Sequence, residues 1–200
     1  MKLLAYALSN PVGGFICSGA AGRLRVPFVY ILLAGIALQI VGVFLLSEIP
    51  DSIELWTGQF GYTVLAGLGV GMAGAAFYMM VPLVVEEYDQ SIALGTGLQL
   101  RMFGGALGIA IVTTIMNSYL KSHLPALLSP EQLSAVLDSA QVVATFPSEL
   151  QVQVRQVYAR AYNMQMKATW AFSIAQLLPV LLLWKKQQVR FLRHDQYEEL

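Results

Sequence analysis

Charge is what this sequence has least of. Lys, Arg, Asp and Glu make up 12% of its 200 residues, against about 25% in a soluble domain. Hydrophobic residues make up 56% and mean hydropathy is +0.61, so the chain is too poor in polar surface to cover itself in water, and its expected solvent is lipid. Formal net charge is zero, which removes any bulk electrostatic argument for nucleic acid. The one cysteine, Cys17, excludes an internal disulfide and an all-cysteine metal site. It reads as a small apolar residue facing helix or lipid. The two histidines, His123 and His194, lie far apart without a ligand partner at metal spacing and read as solvated. No metal or cofactor is expected. Enzyme chemistry lacks its parts: there is no arguable Ser-His-Asp set, no Gly-Lys-Ser/Thr phosphate loop and no His/Cys cluster. The glycines at 67, 69 and 71 follow no strand pattern, which argues against a dinucleotide loop.

What is present is long apolar runs full of glycine. The stretch from Trp56 to Asn117 holds two of them around a short acidic break, Glu86-Glu87-Tyr88-Asp89. From Phe60 to Val85 there is no charge, and from Ile92 to Met116 only Arg101. Each run exceeds the ~20 residues that cross a bilayer as a helix. Glycine weakens a helix in water, but in lipid small residues let backbones approach. Gly67/Gly71 and Gly104/Gly108 both have the GxxxG spacing. The reading is a membrane helix hairpin built for close contact with other helices.

Three further spans flank it, for an all-α membrane protein of about five transmembrane helices. The spans are expected over 3–20, 28–47, 57–85, 91–119 and 167–184, with an external loop over 120–166 and a cytoplasmic tail over 185–200. A signal peptide competes for the first segment, but Asn10-Pro11 and Gly13-Gly14 interrupt the apolar core such a signal needs. In the second segment Gly35 and Gly42 share a face, and Gln39 is the most polar side chain. Trp56, Trp170 and Trp184 sit where interfacial aromatics belong. Ser129-Pro130-Glu131-Gln132 reads as a helix start, and Ser148-Glu149-Leu150-Gln151 as a second capping box. Leu150, Val154, Val157 and Ala161 then recur at helical spacing. This amphipathic helix either lies on the membrane or leads straight into the last span, which Pro179 should kink. Arg23, Arg25, Lys185, Lys186, Arg190 and Arg193 fall on one side, which the positive-inside rule assigns to the cytoplasm. The N-terminus is then outside, odd for a complete protein and natural if further helices precede it.

The motif residues resemble a known family. Gly19-Ala20-Ala21-Gly22-Arg23-Leu24-Arg25 resembles the degenerate second copy of the glycine/arginine loop motif of the major facilitator superfamily, without its aspartate. Gly67-Leu68-Gly69-Val70-Gly71 resembles the glycine-rich tenth helix of the twelve-helix fold. Gln99-Leu100-Arg101-Met102-Phe103-Gly104-Gly105-Ala106-Leu107-Gly108 is similar to the Gln-x-Arg-x-x-Gly-Gly-x-x-Gly pattern opening the following helix. That pattern belongs to the fourteen-helix drug:proton antiporter branch, especially fungal multidrug and toxin efflux members. The resemblance implies the last five helices of a transporter, most of its C-terminal bundle. It implies proton-coupled efflux of small organic molecules, with protons and such molecules as partners beside the bilayer. It also implies missing N-terminal helices, or another chain, to complete the bundle, and the plasma membrane as location. No acid lies inside any of the five spans.

Each singled-out residue carries two readings. Arg101 is a gating or helix-locking charge, paired with Glu86 or Glu87 across the turn, or an arginine snorkelling to headgroups. Gln99 hydrogen-bonds across helices or toward substrate, while Gln39 and Gln176 are candidate polar contacts to a central cavity. Gly67, Gly71, Gly104 and Gly108 are packing faces that also permit the sliding of alternating access. Gly22, Arg23 and Arg25 hold a cytoplasmic gate or only set topology. Phe77, Tyr78, Met79 and Met80 line a greasy path or pack between helices. Two other functions compete with transport. One is a truncated, non-transporting membrane fragment acting only through helix association, and the other a membrane enzyme subunit or scaffold.

Overall fold

The computed structural model describes residues 2–48 and 58–183. Trp56, Trp184, His194 and the basic tail lie outside the described residues. The described chain is helical throughout, with no strand among these residues: α1 (Lys2–Gly22), α2 (Phe28–Ser47), α3 (Gly58–Val84), α4 (Gln90–His123), α5 (Pro130–Asp138), α6 (Ser148–Ala175) and α7 (Leu177–Leu182). Among the described residues three stretches are long and apolar enough to cross a membrane: α2, α3 and Glu87–Ala126, which contains α4. α1 is diluted by Ser9, Asn10 and Pro11, and α6 begins as a polar amphipathic helix.

α3 is the middle of a three-helix unit, and its glycines make it so. Gly71 lies against the Asn10 carbonyl of α1, and Gly67 against Tyr6 and Ser9. On its other side Gly69 meets the backbone of Gly35 and Gln39 in α2, and Gly42 answers at Ala66, where an added Cβ would sit 2.6 Å from the backbone nitrogen. Backbone rests on backbone along both seams, the contact that GxxxG spacing permits. Cys17, Phe28, Ile36, Met72 and Met80 fill the core beside these seams. Met80 therefore packs in the core, and Met79 lies beside it, 3.9 Å from the Ser18 hydroxyl.

The α1–α2 link turns sharply. Arg25 sits at φ 55°, a left-handed conformation, and Arg23 N–H donates to the Gly19 carbonyl at 2.9 Å. The α3–α4 turn is one 3-10 turn over Glu87–Asp89, braced by Gln90 Nε2, which donates to the Pro82 carbonyl at 3.1 Å.

Beyond α4 the chain builds a second, smaller core from Leu120, Leu124, Leu128, Val136, Val143, Val154 and Ala161. Ser129 caps α5 as expected, with its hydroxyl accepting from Gln132 N–H at 3.4 Å and Ser129 N–H donating to Gln132 Oε1 at 3.1 Å. The second capping box does not form. Pro147 takes the cap position, and Gln151 Nε2 instead donates to the carbonyls of Ala144 and Phe146 at 3.1 and 2.7 Å. The stripe Leu150, Val154, Val157 and Ala161 faces this cap, so the first half of α6 is held by protein. α6 then runs unbroken toward the last span. The chain breaks at Gln176, three residues before Pro179, because a proline ring clashes with the carbonyl four residues earlier, here that of Ala175.

Candidate functional site

Folding the chain back about positions 87–88 sets Gly74 of α3 opposite Arg101 of α4. The structure follows that register: a Cβ on Gly74 would lie 3.7 Å from an Arg101 guanidinium nitrogen, and Gly97 lies under the Phe77 ring. Arg101 donates to the Tyr78 hydroxyl at 3.5 Å, with its guanidinium carbon 5.9 Å from the centre of that ring. The expected pairing with Glu86 or Glu87 is not made. Arg101 lies about three turns into α4, while the two acids sit beyond its start, so the guanidinium reaches α3 first.

Around this contact is a cavity of about 320 Å³ lined by Gln39, Val70, Gly74, Tyr78, Arg101 and Gln176 among others. Three of the four polar candidates therefore meet, from α2, α4 and the α6–α7 break. Gln39 Nε2 also donates to the hydroxyl of buried Ser173 at 3.2 Å, and that hydroxyl donates on to the Thr169 carbonyl at 3.0 Å. Gln99 is not part of the group. Two positions from Arg101, it lies on the far side of α4 and is exposed.

A second cavity of about 440 Å³ shares Gln39 and Val70 with the first. It is lined by Tyr6 of α1, Val43 and Leu46 of α2, Thr63 and Ala66 of α3, and Tyr162 and Met166 of α6. The two linings adjoin at Gln39 and Val70, and together this trough of lining residues runs along α3 from Gln59 to Tyr78. At 1.5 Å per residue that is roughly 28 Å. Sequence reasoning missed Tyr6, Thr63 and Tyr162, because their convergence depends on which helices neighbour which. The Arg101–Gly74 level was readable from hairpin symmetry.

The packing glycines divide. Gly67 and Gly71 are sealed against α1, whereas a Cβ on Gly104 or Gly108 would meet nothing within 4 Å. Gly97, Arg101, Gly104 and Gly108 recur at spacings that keep them on one face of α4. Arg23 and Arg25 are exposed in the α1–α2 turn, with exposed Gly22 beside them, and none of the three lines the trough. Among the described residues no group of His, Cys, Asp and Glu is arranged to hold a metal ion.

No family model matches the chain, and no solved structure does. Curated relatives do. MFS-type transporter FPY5 of Fusarium mangiferae is 35% identical over 185 residues, covering 92% of this chain and 30% of that protein. MFS-type transporter sphD of Aspergillus fumigatus is 30% identical over 68% of this chain and 25% of its own length. MFS-type efflux pump elcC of Phaeosphaeria nodorum is 27% identical over 84% of this chain and 30% of its own. The chain thus spans less than a third of the length of these relatives, which are named as transporters and not as enzymes. Apolar glycine-seamed helices, an arginine set within them and similarity across nearly the whole sequence agree: the chain is an integral membrane protein of the major facilitator superfamily.

Proposed function

We propose that the chain supplies most of one helical bundle of a secondary transporter that exports small organic molecules by alternating access. The observation that carries this reading is the meeting of Arg101, Gln39 and Gln176 in one cavity among apolar helices. Polar and charged side chains inside a membrane are costly and mark pathways or locks, and a relative over 84% of the chain is named an efflux pump. Arg101 acts as a locking or gating charge, with Gln39 and Gln176 as its polar neighbours. The sealed glycine seams let α1–α3 move as one body, as rocking bundles require. Five spans, an external cap over 120–166 and a cytoplasmic C-terminus complete the arrangement. Arg23 and Arg25 mark its cytoplasmic face. Proton coupling, the plasma membrane and the fourteen-helix branch belong to the same proposal, supported by the Gln99-to-Gly108 pattern.

The uncovered Gly104–Gly108 ridge favours a second reading, a membrane polypeptide that acts only by associating with other helices. One assay separates the two. The chain is reconstituted in vesicles alone, and together with the remainder of FPY5 outside the matched region, under an imposed pH gradient. Transport predicts no flux of a lipophilic organic cation from the chain alone. It predicts flux from the pair that a protonophore abolishes and that Arg101→Ala lowers at least tenfold. Correct insertion of both parts without flux favours association only.

A further inference from the structure

Charge lies at one end of the trough and only there. Among the described residues Arg101 is the one ionised side chain lining either cavity, and neither lining holds an Asp or Glu. A guanidinium has five N–H donors. Here one reaches the Tyr78 hydroxyl, at a long 3.5 Å. Gln39 and Gln176 set two carboxamides beside it. The wider cavity has another character. Val43, Leu46, Ala66 and Met166 give it apolar walls, and Tyr6 and Tyr162 stand among them. Gly74, at the level of Arg101, is eight residues along α3 from Ala66 on that cavity's wall. The cationic end and the apolar end are thus roughly 12 Å apart along the helix.

We infer that the trough prefers an amphipathic organic anion, a carboxylate or enolate on a flat apolar body of about that length. The anionic head sits against Arg101 with the two carboxamides beside it, and the body lies in the wider cavity. A guanidinium holds a carboxylate through two parallel N–H bonds, each stronger than a bond between neutral groups. In apolar surroundings the attraction is less screened than in water, and an ammonium head at the same place would meet like charge. A neutral molecule of the same shape keeps the apolar contacts and loses only the charge-assisted ones. The order is therefore anion, neutral, cation. It is a ranking among lipophilic molecules, and it still admits the cation probe that reads flux. That the ligand is cargo rests on the transporter reading, whereas its binding in the trough does not.

Three photoreactive benzophenones of one shape read the ranking: para-benzoylbenzoic acid, its primary amide, and the para-benzoylbenzyl trimethylammonium ion. Each is irradiated with the full chain in neutral-detergent micelles at neutral pH, where the acid is ionised, and labelled peptides are quantified by mass spectrometry. Labels are expected on residues lining the two cavities, Met166 among them. The acid should label them at least fivefold more than the amide, and the ammonium least. On the unaltered chain, para-phenylbenzoic acid should compete at least fivefold better than para-phenylbenzamide, a result that depends on no variant folding. Arg101→Gln should bring the acid down to the level of the amide, and Arg101→Lys should keep most of the difference. Equal labelling by acid and amide overturns the inference, as does a higher yield with the ammonium. So does acid labelling that falls outside the two linings. Selective labelling without flux from the reconstituted pair would sink the transport reading alone.

Discussion

α3 and α4 carry the same small-residue spacing and use it in opposite ways. α3 is sealed on both sides, by α1 along Gly67 and Gly71 and by α2 along Gly69 and Ala66. α4 touches α3 around Gly97 and Arg101, leans on α6 toward its other end, and leaves Gly104 and Gly108 uncovered. The spacing therefore states that a backbone is available for close approach. It does not state whether the partner belongs to the same chain. Over 18 residues of the stretch containing α4 nothing is buried, against 44% of the corresponding window in α3, so α4 is the long apolar element that the described residues leave uncovered.

Substitutions sharpen this contrast. The largest effect is expected at Gly71, where a leucine side chain would run into the Asn10 carbonyl. Gly71→Leu should cost about 3 kcal/mol or more, at the upper end of overpacking. Gly104→Leu should stay within about 0.5 kcal/mol. Unfolding of the purified chain in mixed detergent micelles measures both, and equal losses would erase the distinction. Next comes the cap, which is a core of its own. Leu124 is fully buried, and Leu124→Ala should cost roughly 2–5 kcal/mol. The loss should appear as protease cleavage within 120–160 while α1–α3 stay protected. Cleavage that spreads through α3 would show that the two cores are one.

Smaller effects follow at the polar contacts. Gln39→Leu breaks the hydrogen bond to Ser173 that ties α2 to α6, and about 0.6 kcal/mol is typical for such a bond in a bilayer. The same detergent titration reads it, and a loss above ~2 kcal/mol would mean Gln39 holds more than this one partner. In the cap, burial pushes the Tyr158 hydroxyl above its usual value, and that hydroxyl donates to the Val136 carbonyl at 3.2 Å. A raised folded pKa contributes stability that is present below the unfolded value of about 10 and is lost as pH rises through the folded value. Cap protease resistance should therefore fall above about pH 10, and Tyr158→Phe should remove that limb. An unchanged limb in the phenylalanine variant would exclude Tyr158 as its cause.

The parts of the molecule governed by local rules were readable in advance. Charge-free runs mark α2, α3 and α4, and Ser129-Pro130 marks the start of α5, because length, hydropathy and capping act within a few residues. Gln39, Gln176 and Arg101 stood out as polar residues in apolar surroundings, and they do converge. Gln99 stood out equally and points away, since the bundle geometry decides which face of α4 is inner. The expected Arg101–Glu86 pair failed for a related reason: Tyr78 and Gly74 come from a neighbouring helix at the same depth. The capping box at Ser148 lost to Pro147 and to Gln151, which turned back to brace the preceding turn. The α6 side of the small cap core showed as the stripe Leu150, Val154, Val157 and Ala161, but the side from Leu120 to Val143 was not foreseen, because its parts are short apolar pieces with no strong period.

The most direct test of the account is the separation of α3 and α4 at the depth of Gly108. Spin labels at Thr63 and Gly108, in a Cys17→Ala background and in lipid nanodiscs, give that distance by double electron–electron resonance. A second pair at Tyr78 and Leu98 gives it near the turn. Helices in direct contact have axes about 8–10 Å apart. The account predicts such contact for the second pair and a clearly wider separation for the first, since a Cβ on Gly108 would meet nothing within 4 Å. Equal separations in the two pairs, with α4 closed along its whole length onto α3, would contradict it.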